Sequence, residues 1–438
     1  MTIFDRRGRP LLEGISVQIR CGEGPETGPS PVDDIGATNT ETIEEVSPVD
    51  RFCSIFNQTL QVFSRTEFQQ AVQETKAERH ARGFASWDQF VAMEFCHLAN
   101  AQSLREIEGG LASCGGRLQQ LGMKKAPAKS TLAYANEHRP WELYQKVFEQ
   151  TYARCRQELG GKSKFRFKNR LLSIDSTHVM LCSELFDWAT YSRQKGAVKL
   201  HFTLDHAGYL PAAMVITTGK YSELTIARRQ KYEAGTILVM DRGFVNFGWF
   251  HDLNRNGVLF VTRIKKHTRY EVVESRAVSE GKDVTADQVI RLTSKASSKI
   301  YPERLRLVTF KTESGEMLKF LTNEMRLAAA TIAEIYKDRW QIEIFFKMLK
   351  QNLRIKTFVG TSANAVWIQI WTALIAMLLL KYLQFKARFG WSFSNLVYFL
   401  RMNLLVYRDL WEWLDHPFEQ TESPPDSDPI PQLSLGWG

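Results

Sequence analysis

A short, unbroken apolar run that ends in an acid constrains this fold most strongly. Residues Ile237 to Met240 are all apolar and lead directly into Asp241. Such a run predicts a central strand that is covered on both faces, which is typical of an α/β protein. A second β-like run, from Leu171 to Ile174, ends in the same way at Asp175. Both acids are therefore predicted at strand ends, where functional sites usually form.

A helix-like segment at residues 335–350 sorts its side chains onto two edges. Because helical residues turn by about 100° per step, one acid and several polar or cationic groups share a single stripe. This stripe contains Tyr336, Arg339, Glu343 and Lys350. The adjoining arc is apolar and is predicted to be buried, which would hold the polar edge in place. A simpler interpretation, ordinary surface ion pairs at four-residue spacing, stays open at this point.

Asp175, Asp241 and Glu343 are more informative as a set than singly. Each aspartate alone could cap a helix or begin a turn. Three clustered carboxylates repel one another, so the cluster is stable at neutral pH mainly around a divalent cation. Ligands that offer only oxygen favour Mg²⁺ or Mn²⁺ over zinc. In a basic protein, two such ions would serve in-line attack on a phosphodiester.

In this order, the three acids and their motifs resemble the DDE transposases of bacterial insertion sequences, specifically the insertion-sequence-four family. The resemblance covers residues 51–385 and depends on Ile-Asp175-Ser-Thr-His, Met-Asp241-Arg-Gly-Phe and a Tyr-x2-Arg-x3-Glu-x6-Lys motif around Glu343. It implies a ribonuclease-H-like core, two Mg²⁺ ions held by the three acids, with Mn²⁺ as a substitute, and cleavage and joining of DNA at the element's ends. It also implies that Tyr336, Arg339 and Lys350 grip phosphates near the scissile bond.

The charge distribution favours a polyanionic partner. The formal net charge is +9, but residues 1–50 carry four Arg against ten acids, and residues 411–438 carry six acids without Lys or Arg. Residues 51–410 therefore carry +21, which is typical of a protein that binds nucleic acid, although a generic basic protein is the simpler alternative. The resemblance implies double-stranded DNA, namely terminal inverted repeats and target DNA, bound by a homodimer.

No membrane or secreted location is predicted. The apolar run from Val366 to Leu380 is too short to span a bilayer comfortably and predicts a buried helix. The six cysteines lack zinc-ligand or disulfide spacing, which fits a reducing compartment. We therefore expect a cytoplasmic, nucleoid-associated bacterial protein.

Composition and periodicity divide the chain into four parts. We expect a disordered acidic tail (1–50), an all-α DNA-binding domain (51–160), an α/β catalytic domain with a ribonuclease-H-like core (161–390), and a C-terminal helical segment with an acidic, proline-rich tail (391–438). Strand-like runs between residues 258 and 327 predict a β-rich insertion within the catalytic domain. Family members with such an insertion hold a flipped base on an aromatic side chain. Here the insertion lacks Trp, and the alternatives are Tyr270, Tyr301 and Phe310.

Several segments are candidates for DNA contact. Ser103 is predicted to cap one helix and Lys129 to begin another, which could form a helix-turn-helix, although a plain helical bundle stays open. In the former case the side chains available to DNA are Lys129, Ser130, Tyr134 and Asn136. Arg242 could reach a phosphate or pair with an acid. The basic strip from Lys162 to Arg170, if extended, would place its cations on one face along a DNA path.

The sequence thus leads to one principal hypothesis and two alternatives. The chain would be a transposase that binds the terminal inverted repeats of an insertion sequence and performs metal-dependent, cut-and-paste strand cleavage and transfer. The alternatives are a metal-dependent DNA nuclease without strand transfer, and an inactive copy that acts only as a DNA-binding repressor.

Overall fold

A large mixed sheet occupies the middle of the chain, between two sets of helices. The computed structural model describes residues 53–419, apart from positions 80, 82, 115–116, 160–163, 183, 193–194, 220, 279–282, 354 and 356. The predicted tail at residues 1–50, the chain beyond residue 419 and Lys162 of the basic strip lie outside the described residues. Within those residues the sheet has ten strands. They are β1 (Leu171–Leu181), β2 (Thr190–Ser192), β3 (Lys195–Asp205), β4 (Leu210–Thr218), β5 (Ile237–Met240), β6 (Leu259–Arg263), β7 (Tyr270–Arg276), β8 (Val284–Leu292), β9 (Leu305–Lys311) and β10 (Met317–Thr322).

The centre of the sheet is parallel. Strand β5 lies between β1 and β6 and runs parallel to both, and all four of its residues are buried, as its apolar run predicts. In the β1–β5 pairing, Ile174 is level with Met240. Because these residues immediately precede Asp175 and Asp241, the register brings the two aspartates to neighbouring positions on one edge.

Antiparallel strands flank this parallel centre. On one side β3 pairs with β1, and β4 pairs with β3 as a hairpin. The turn between them places Gly208 and Tyr209 at φ values of 80° and 53°, in the left-handed region that glycine tolerates best. On the other side β10 pairs with β6, and β9, β8 and β7 follow in that order.

The predicted insertion needs one correction. Strand β6 falls inside the predicted range of 258–327, but it pairs in parallel with β5 and so belongs with the central strands. The antiparallel addition begins at β7 and ends with β10, and each of its four strands lies at a predicted strand-like run. Because β10 pairs with β6, these strands extend the existing sheet.

Residues 53–159 are helical in their described part. The helices are α1 (Ile55–Leu60), α2 (Arg65–Thr75), α3 (Ser86–Leu98), α4 (Leu104–Ala112), α5 (Lys129–His138) and α6 (Glu142–Leu159). As predicted, Ser103 caps α4, because its hydroxyl accepts the Glu106 backbone N–H at 3.2 Å. Helix α5 begins at Lys129, also as predicted.

In the described residues after β4, eight further α-helices are present. They are α7 (Glu223–Ala227), α8 (Phe247–Arg255), α9 (Lys295–Ile300), α10 (Ala329–Asp338), α11 (Gln341–Asn352), α12 (Ala363–Lys386), α13 (Phe393–Asn403) and α14 (Leu410–Asp415). Helix α12 has the length and composition of a membrane span, but 83% of its most apolar window is buried inside the protein. It is therefore a core helix, as the run from Val366 to Leu380 predicts.

Helix α12 joins the N-terminal helices to the sheet. The Trp371 ring on α12 lies 5.3 Å from that of Phe148 and 6.4 Å from that of Trp141, measured between centroids. One continuous hydrophobic cluster includes residues from α1 to α6, from strands β1, β3 and β4, and from α11 to α14. The N-terminal helices and the strand that carries Asp175 thus share a core.

Candidate active site

Asp175 lies on β1 beside the end of β5. The sequence predicts that it closes its strand, but β1 continues to Leu181 because β3 pairs with it along its whole length. Only the parallel pairing with β5 stops, at Ile174. One Asp175 oxygen accepts the backbone N–H of Ser176 at 2.7 Å, and the side chain is 21% exposed. The carboxylate is therefore held close to the backbone and reachable from one side.

Asp241 directly follows β5 and precedes a short 3-10 turn, Arg242–Phe244. The Tyr336 hydroxyl, on α10, lies 3.5 Å from Asp241 Oδ1 and can donate to it. Arg242 is exposed at the start of the turn, which leaves its guanidinium accessible to a DNA phosphate. The β5 end thus contributes one acid to the site and one accessible cation beside it.

The helix that carries Glu343 is divided, which corrects the prediction of one helix over residues 335–350. Helix α10 ends at Asp338 and α11 begins at Gln341, with Arg339 and Trp340 between them. At this junction the Trp340 N–H donates to the Lys337 carbonyl at 3.3 Å, an i to i+3 bond that tightens the turn. Both junction residues keep right-handed helical angles, so the predicted stripe survives.

Arg339 is the centre of the site. Its Nη2 donates to Glu343 Oε1 at 2.9 Å, its Nη1 is 3.6 Å from Asp175 Oδ2, and its Cζ lies 5.6 Å from the Tyr336 ring centroid. Burial lowers the pKa of Arg339, but the bond to Glu343 and the nearby Tyr336 and Asp175 outweigh burial and raise it. The surface ion-pair interpretation is incomplete, because this guanidinium is largely buried and also reaches an acid on β1.

Burial dominates the electrostatics of Asp175. It raises the pKa of this carboxyl from 3.8 to about 6, even though the Ser176 N–H and Arg339 favour the ionised form, and Glu223 and Glu343 push the pKa further up. Burial also raises the pKa of the Tyr336 phenol. The site therefore makes ionisation of Asp175 less favourable than in water, and additional positive charge would reverse this effect.

The donor set fits a hard divalent cation. Across the described residues, no three or more His, Cys, Asp or Glu side chains are gathered closely enough to hold a metal ion. The guanidinium of Arg339 instead stands between Asp175 and Glu343, which offer only carboxylate oxygens, the ligands that Mg²⁺ and Mn²⁺ prefer. A positive charge already occupies the space between two of the three candidate ligands.

Two groups near the site were not singled out from the sequence. Glu223 on α7 accepts a bond from the Ser176 hydroxyl and forms an ion pair with Lys199 at 3.0 Å. Only the tertiary structure brings these three residues together, and no sequence signal marks Glu223. Trp340 is 57% exposed at the helix junction, although large apolar residues are usually buried. Its position next to Arg339 is the signal that could have identified it.

The remaining motif residue, Lys350, lies on α11 two turns beyond Glu343 and is half-buried. Two turns of helix correspond to about 10 Å along the axis. Lys350 therefore belongs to the same stripe as Glu343, but it lies further from the acids than Arg339 does.

The predicted DNA-contact residues on α5 separate into two groups. Lys129, Ser130 and Tyr134 are exposed, and the Tyr134 side chain is 66% exposed with its ring stacked on His138 at 4.0 Å. Asn136 was wrongly placed on this surface. It is 1% exposed and its amide oxygen accepts a bond from Gln89 Nε2 at 2.7 Å, so it cannot reach DNA in this structure.

The basic strip also differs from its prediction. Residues 164–170 form bends and not an extended strand, so the strand alternation on which that prediction depended is absent. Lys164 pairs with the buried Asp338 and Arg170 with the buried Asp205, each at 3.0 Å. These two cations neutralise internal acids and do not line a DNA path.

Comparisons with known proteins bear on the identity of the chain. The family described as "Transposase DDE domain" matches residues 166–379, and one described as a domain of unknown function (DUF4372) matches residues 53–124. A protein of Sinorhizobium fredii named as the transposase y4zB is 33% identical over 326 residues, which cover 73% of this chain and 88% of that protein. A protein of Geobacillus stearothermophilus named as the transposase of insertion sequence element IS5377 is 30% identical, over 58% of this chain and 67% of its own length.

Two further similarities are more distant. The transposase InsG of Escherichia coli, for insertion sequence element IS4, is 26% identical over 43% of this chain and 44% of its own. Among solved structures, a piggyBac transposase in a synaptic complex with hairpin DNA aligns over 87% of this chain and 89% of its own, with a TM-score of 0.40 and 11% identity. That superposition is too loose for individual residues to be compared. On the sequence relatives and the matched DDE domain, this chain belongs to the DDE transposases of the insertion-sequence-four family.

Proposed function

We propose that this transposase binds the terminal inverted repeats of an insertion sequence and catalyses metal-dependent DNA cleavage and strand transfer. The observation that carries the proposal is the convergence of Asp175 and Glu343 on Arg339, with Asp241 in register beside Asp175 and within reach of Tyr336. Two neighbouring strands and one helix thus bring these acids to one edge of the sheet, where the Arg339 guanidinium stands between Asp175 and Glu343. An oxygen-only donor set of this kind suits phosphodiester chemistry.

The three acids would hold the cofactor. Two Mg²⁺ ions, for which Mn²⁺ can substitute, would activate the attacking oxygen and stabilise the leaving oxygen when bound to Asp175, Asp241 and Glu343. The chain's own cations hold the DNA. Arg339 offers a planar fork that matches two phosphate oxygens, whereas Lys350 contributes a point charge further along α11.

Further DNA contacts lie outside the acid cluster. Arg242 is exposed beside Asp241 and suits a phosphate on that side of the site. The exposed face of α5, with Lys129, Ser130 and Tyr134, suits binding of the element's ends. Trp340 presents an exposed aromatic face near the acids, on which an unpaired base can stack.

We also propose that strands β1 and β3 to β6 form a ribonuclease-H-like core. Their order is β4-β3-β1-β5-β6, and only β3 runs antiparallel to the other four strands, which supports this assignment. The core would belong to a catalytic domain at residues 161–390, preceded by a DNA-binding domain at 51–160. The working form would be a homodimer on the paired ends of the element, in the bacterial cytoplasm at the nucleoid.

The test uses purified full-length protein and DNA that carries the inverted repeats flanking its gene. Cutting should require Mg²⁺ or Mn²⁺, and changing Asp175, Asp241 or Glu343 to Ala should abolish cutting while end binding persists. Asp252→Ala is the matched control, because Asp252 is an exposed acid on α8 outside the site. Cutting by the Asp241→Ala protein at the parental rate would overturn the assignment.

A second assay separates the alternative functions. Pre-cut ends are incubated with a target plasmid, and joined products are counted. Metal-dependent cutting without joining would identify a nuclease that lacks strand transfer. Specific end binding without any cutting would identify a repressor. The proposal requires both cutting and joining by the parental protein.

A further inference from the structure

A chain of buried hydrogen bonds lies beside the candidate active site. Ser173 Oγ is 2.6 Å from His206 Nε2, and His206 Nδ1 is 2.6 Å from Asp338 Oδ2. Asp338 also pairs with Lys164 at 3.0 Å and accepts a bond from the Tyr209 hydroxyl at 3.3 Å. We call Ser173, His206 and Asp338 the anchor network.

The members of the anchor network come from segments distant in sequence. Ser173 lies on β1, two residues before Asp175, and His206 directly follows β3. Asp338 is the last residue of α10, and the next residue is Arg339. The anchor network therefore ties the helix junction that carries Arg339 to the strand that carries Asp175.

The bond between His206 and Asp338 has a defined direction of donation. Burial raises the pKa of Asp338, but the bonds from His206 and Lys164 outweigh burial and hold its pKa below the ordinary value. Asp338 is thus an anion, which can only accept, so His206 Nδ1 carries the proton of their shared bond. The other ring nitrogen, Nε2, shares a hydrogen bond with the Ser173 hydroxyl.

The helix itself does not favour an acid at this position. The C-terminal end of a helix carries partial negative charge, which favours Lys, Arg or His⁺ over a carboxylate. Asp338 stands at the C-terminus of α10 and is 4% exposed. Its placement is explained by the ion pair with Lys164 and by the hydrogen bonds with His206 and Tyr209.

The order Ser-His-Asp also occurs in nucleophilic catalytic triads, but that role is excluded here. Ser173 is 0% exposed and His206 is 4% exposed, so a DNA phosphate cannot reach either side chain. The network can act on the reaction only through residues attached to it.

We propose that the anchor network positions Arg339, holding its guanidinium between Asp175 and Glu343, and that His206 is the residue on which this positioning depends. The inference rests on the proposed function of that site. If it is correct, loss of His206 slows strand joining only by removing the contribution that Arg339 makes to the joining rate. A residue that merely stabilised the fold would not be linked to Arg339 in this way.

The test is a double-mutant cycle between His206 and Arg339, measured as the joining of pre-cut ends by the full-length, Mg²⁺-loaded protein. In the parental background His206→Ala should slow joining by about ten- to a hundredfold, because small misplacements of a positioning group cost that much. In an Arg339→Lys background, where the planar guanidinium is already lost, His206→Ala should lower the joining rate by less than about twofold. Equal fold losses in both backgrounds would overturn the proposal.

Two further variants test the anchor network. In His206→Asn the amide nitrogen can replace Nδ1 as donor to Asp338, so this protein should recover most of the lost joining rate. If it joins no faster than His206→Ala, the bond to Asp338 is not the one that matters and the proposal fails. Where His206→Ala does not fold, Ser173→Ala, which removes one hydroxyl, takes its place in the cycle.

His97→Ala is the matched control. It removes another buried histidine, whose Nε2 lies 2.9 Å from the Thr372 hydroxyl between α3 and α12. It should lower the melting temperature without changing the joining rate of folded protein. Different results would reject this inference and the proposed function. Acids that are dispensable for cutting would reject the proposed function, whereas essential acids with an additive cycle would reject only the anchor network.

Discussion

The guanidinium of Arg339 bonds to the Glu343 carboxylate at 2.9 Å and reaches to within 3.6 Å of Asp175. The protein thus supplies its own cation where acids of the site face one another, which relieves their repulsion before any metal arrives. A divalent ion that enters this space must compete with the guanidinium. Once released, the same guanidinium would be available to a DNA phosphate.

This competition predicts the effect of Arg339→Gln on metal binding. Removing the internal cation should tighten Mn²⁺ binding by about tenfold, which corresponds to about 1.4 kcal/mol. The measurement is titration of Mn²⁺ into DNA-free protein, followed by its electron paramagnetic resonance signal. An unchanged Mn²⁺ affinity would mean that Arg339 does not occupy a ligand position.

Strand joining should depend on the shape of the Arg339 side chain as well as on its charge. Arg339→Lys keeps the charge but loses the planar fork, so the joining of pre-cut ends should fall by about tenfold or more. Lys350→Ala should weaken binding of the cut end. Lys337→Ala is the control, because Lys337 is an exposed lysine on α10 that lies about 100° or more around the helix from every residue of the stripe. Parental joining by both Arg339→Lys and Lys350→Ala would contradict a phosphate-binding role for the stripe.

The burial of Asp175 predicts a pH-dependent stability. Its pKa is 3.8 ordinarily and about 6 in the fold, so between these values the unfolded chain binds fewer protons than the folded protein. The free energy of unfolding of metal-free protein should therefore fall as pH rises from about 4 to about 6, and this contribution should level off above. Asp175→Asn removes the effect. Denaturation of both proteins in EDTA at several pH values measures the difference, and parallel stability curves would refute it.

The exposed and buried residues of α5 should behave differently. Tyr134→Ala and Lys129→Ala should weaken binding to the element's ends without lowering the melting temperature. Asn136→Ala should instead destabilise the protein by about 1–3 kcal/mol, because it leaves the buried amide nitrogen of Gln89 without its acceptor. Filter binding and thermal melting of the three variants distinguish these outcomes. Intact end binding by the Tyr134→Ala, Lys129→Ala double variant would remove α5 from the DNA surface.

The local features of the site were predictable from the sequence. The run that ends at Met240 has only one stable environment, a strand covered on both faces, so the position of Asp241 at its end followed directly. The four-residue motif likewise placed Arg339 and Glu343 within contact distance, because residues four apart face each other on a helix. These inferences needed no knowledge of distant residues.

Features that depend on distant partners were not predictable. Helical periodicity alone gave no signal for the junction after Asp338, which is tied to Ser173 and His206 across the sheet. Asn136 can be buried because its amide oxygen accepts a hydrogen bond from Gln89 of another helix. A polar residue on a helix looks the same in sequence whether it faces water or a buried amide.

The shared core around α12 has a consequence for the DNA. Helix α5 and strand β1 both belong to the cluster that surrounds Trp371, so the exposed face of α5 and the acid on β1 are built on one support. If a DNA end were bound at α5 and cut near Asp175, the protein would fix the distance between the bound sequence and the cut. Each inserted base pair would move the scissile bond by about 3.4 Å along the helix axis. The number of base pairs between the bound sequence and the cut would then be determined by the fold of the transposase.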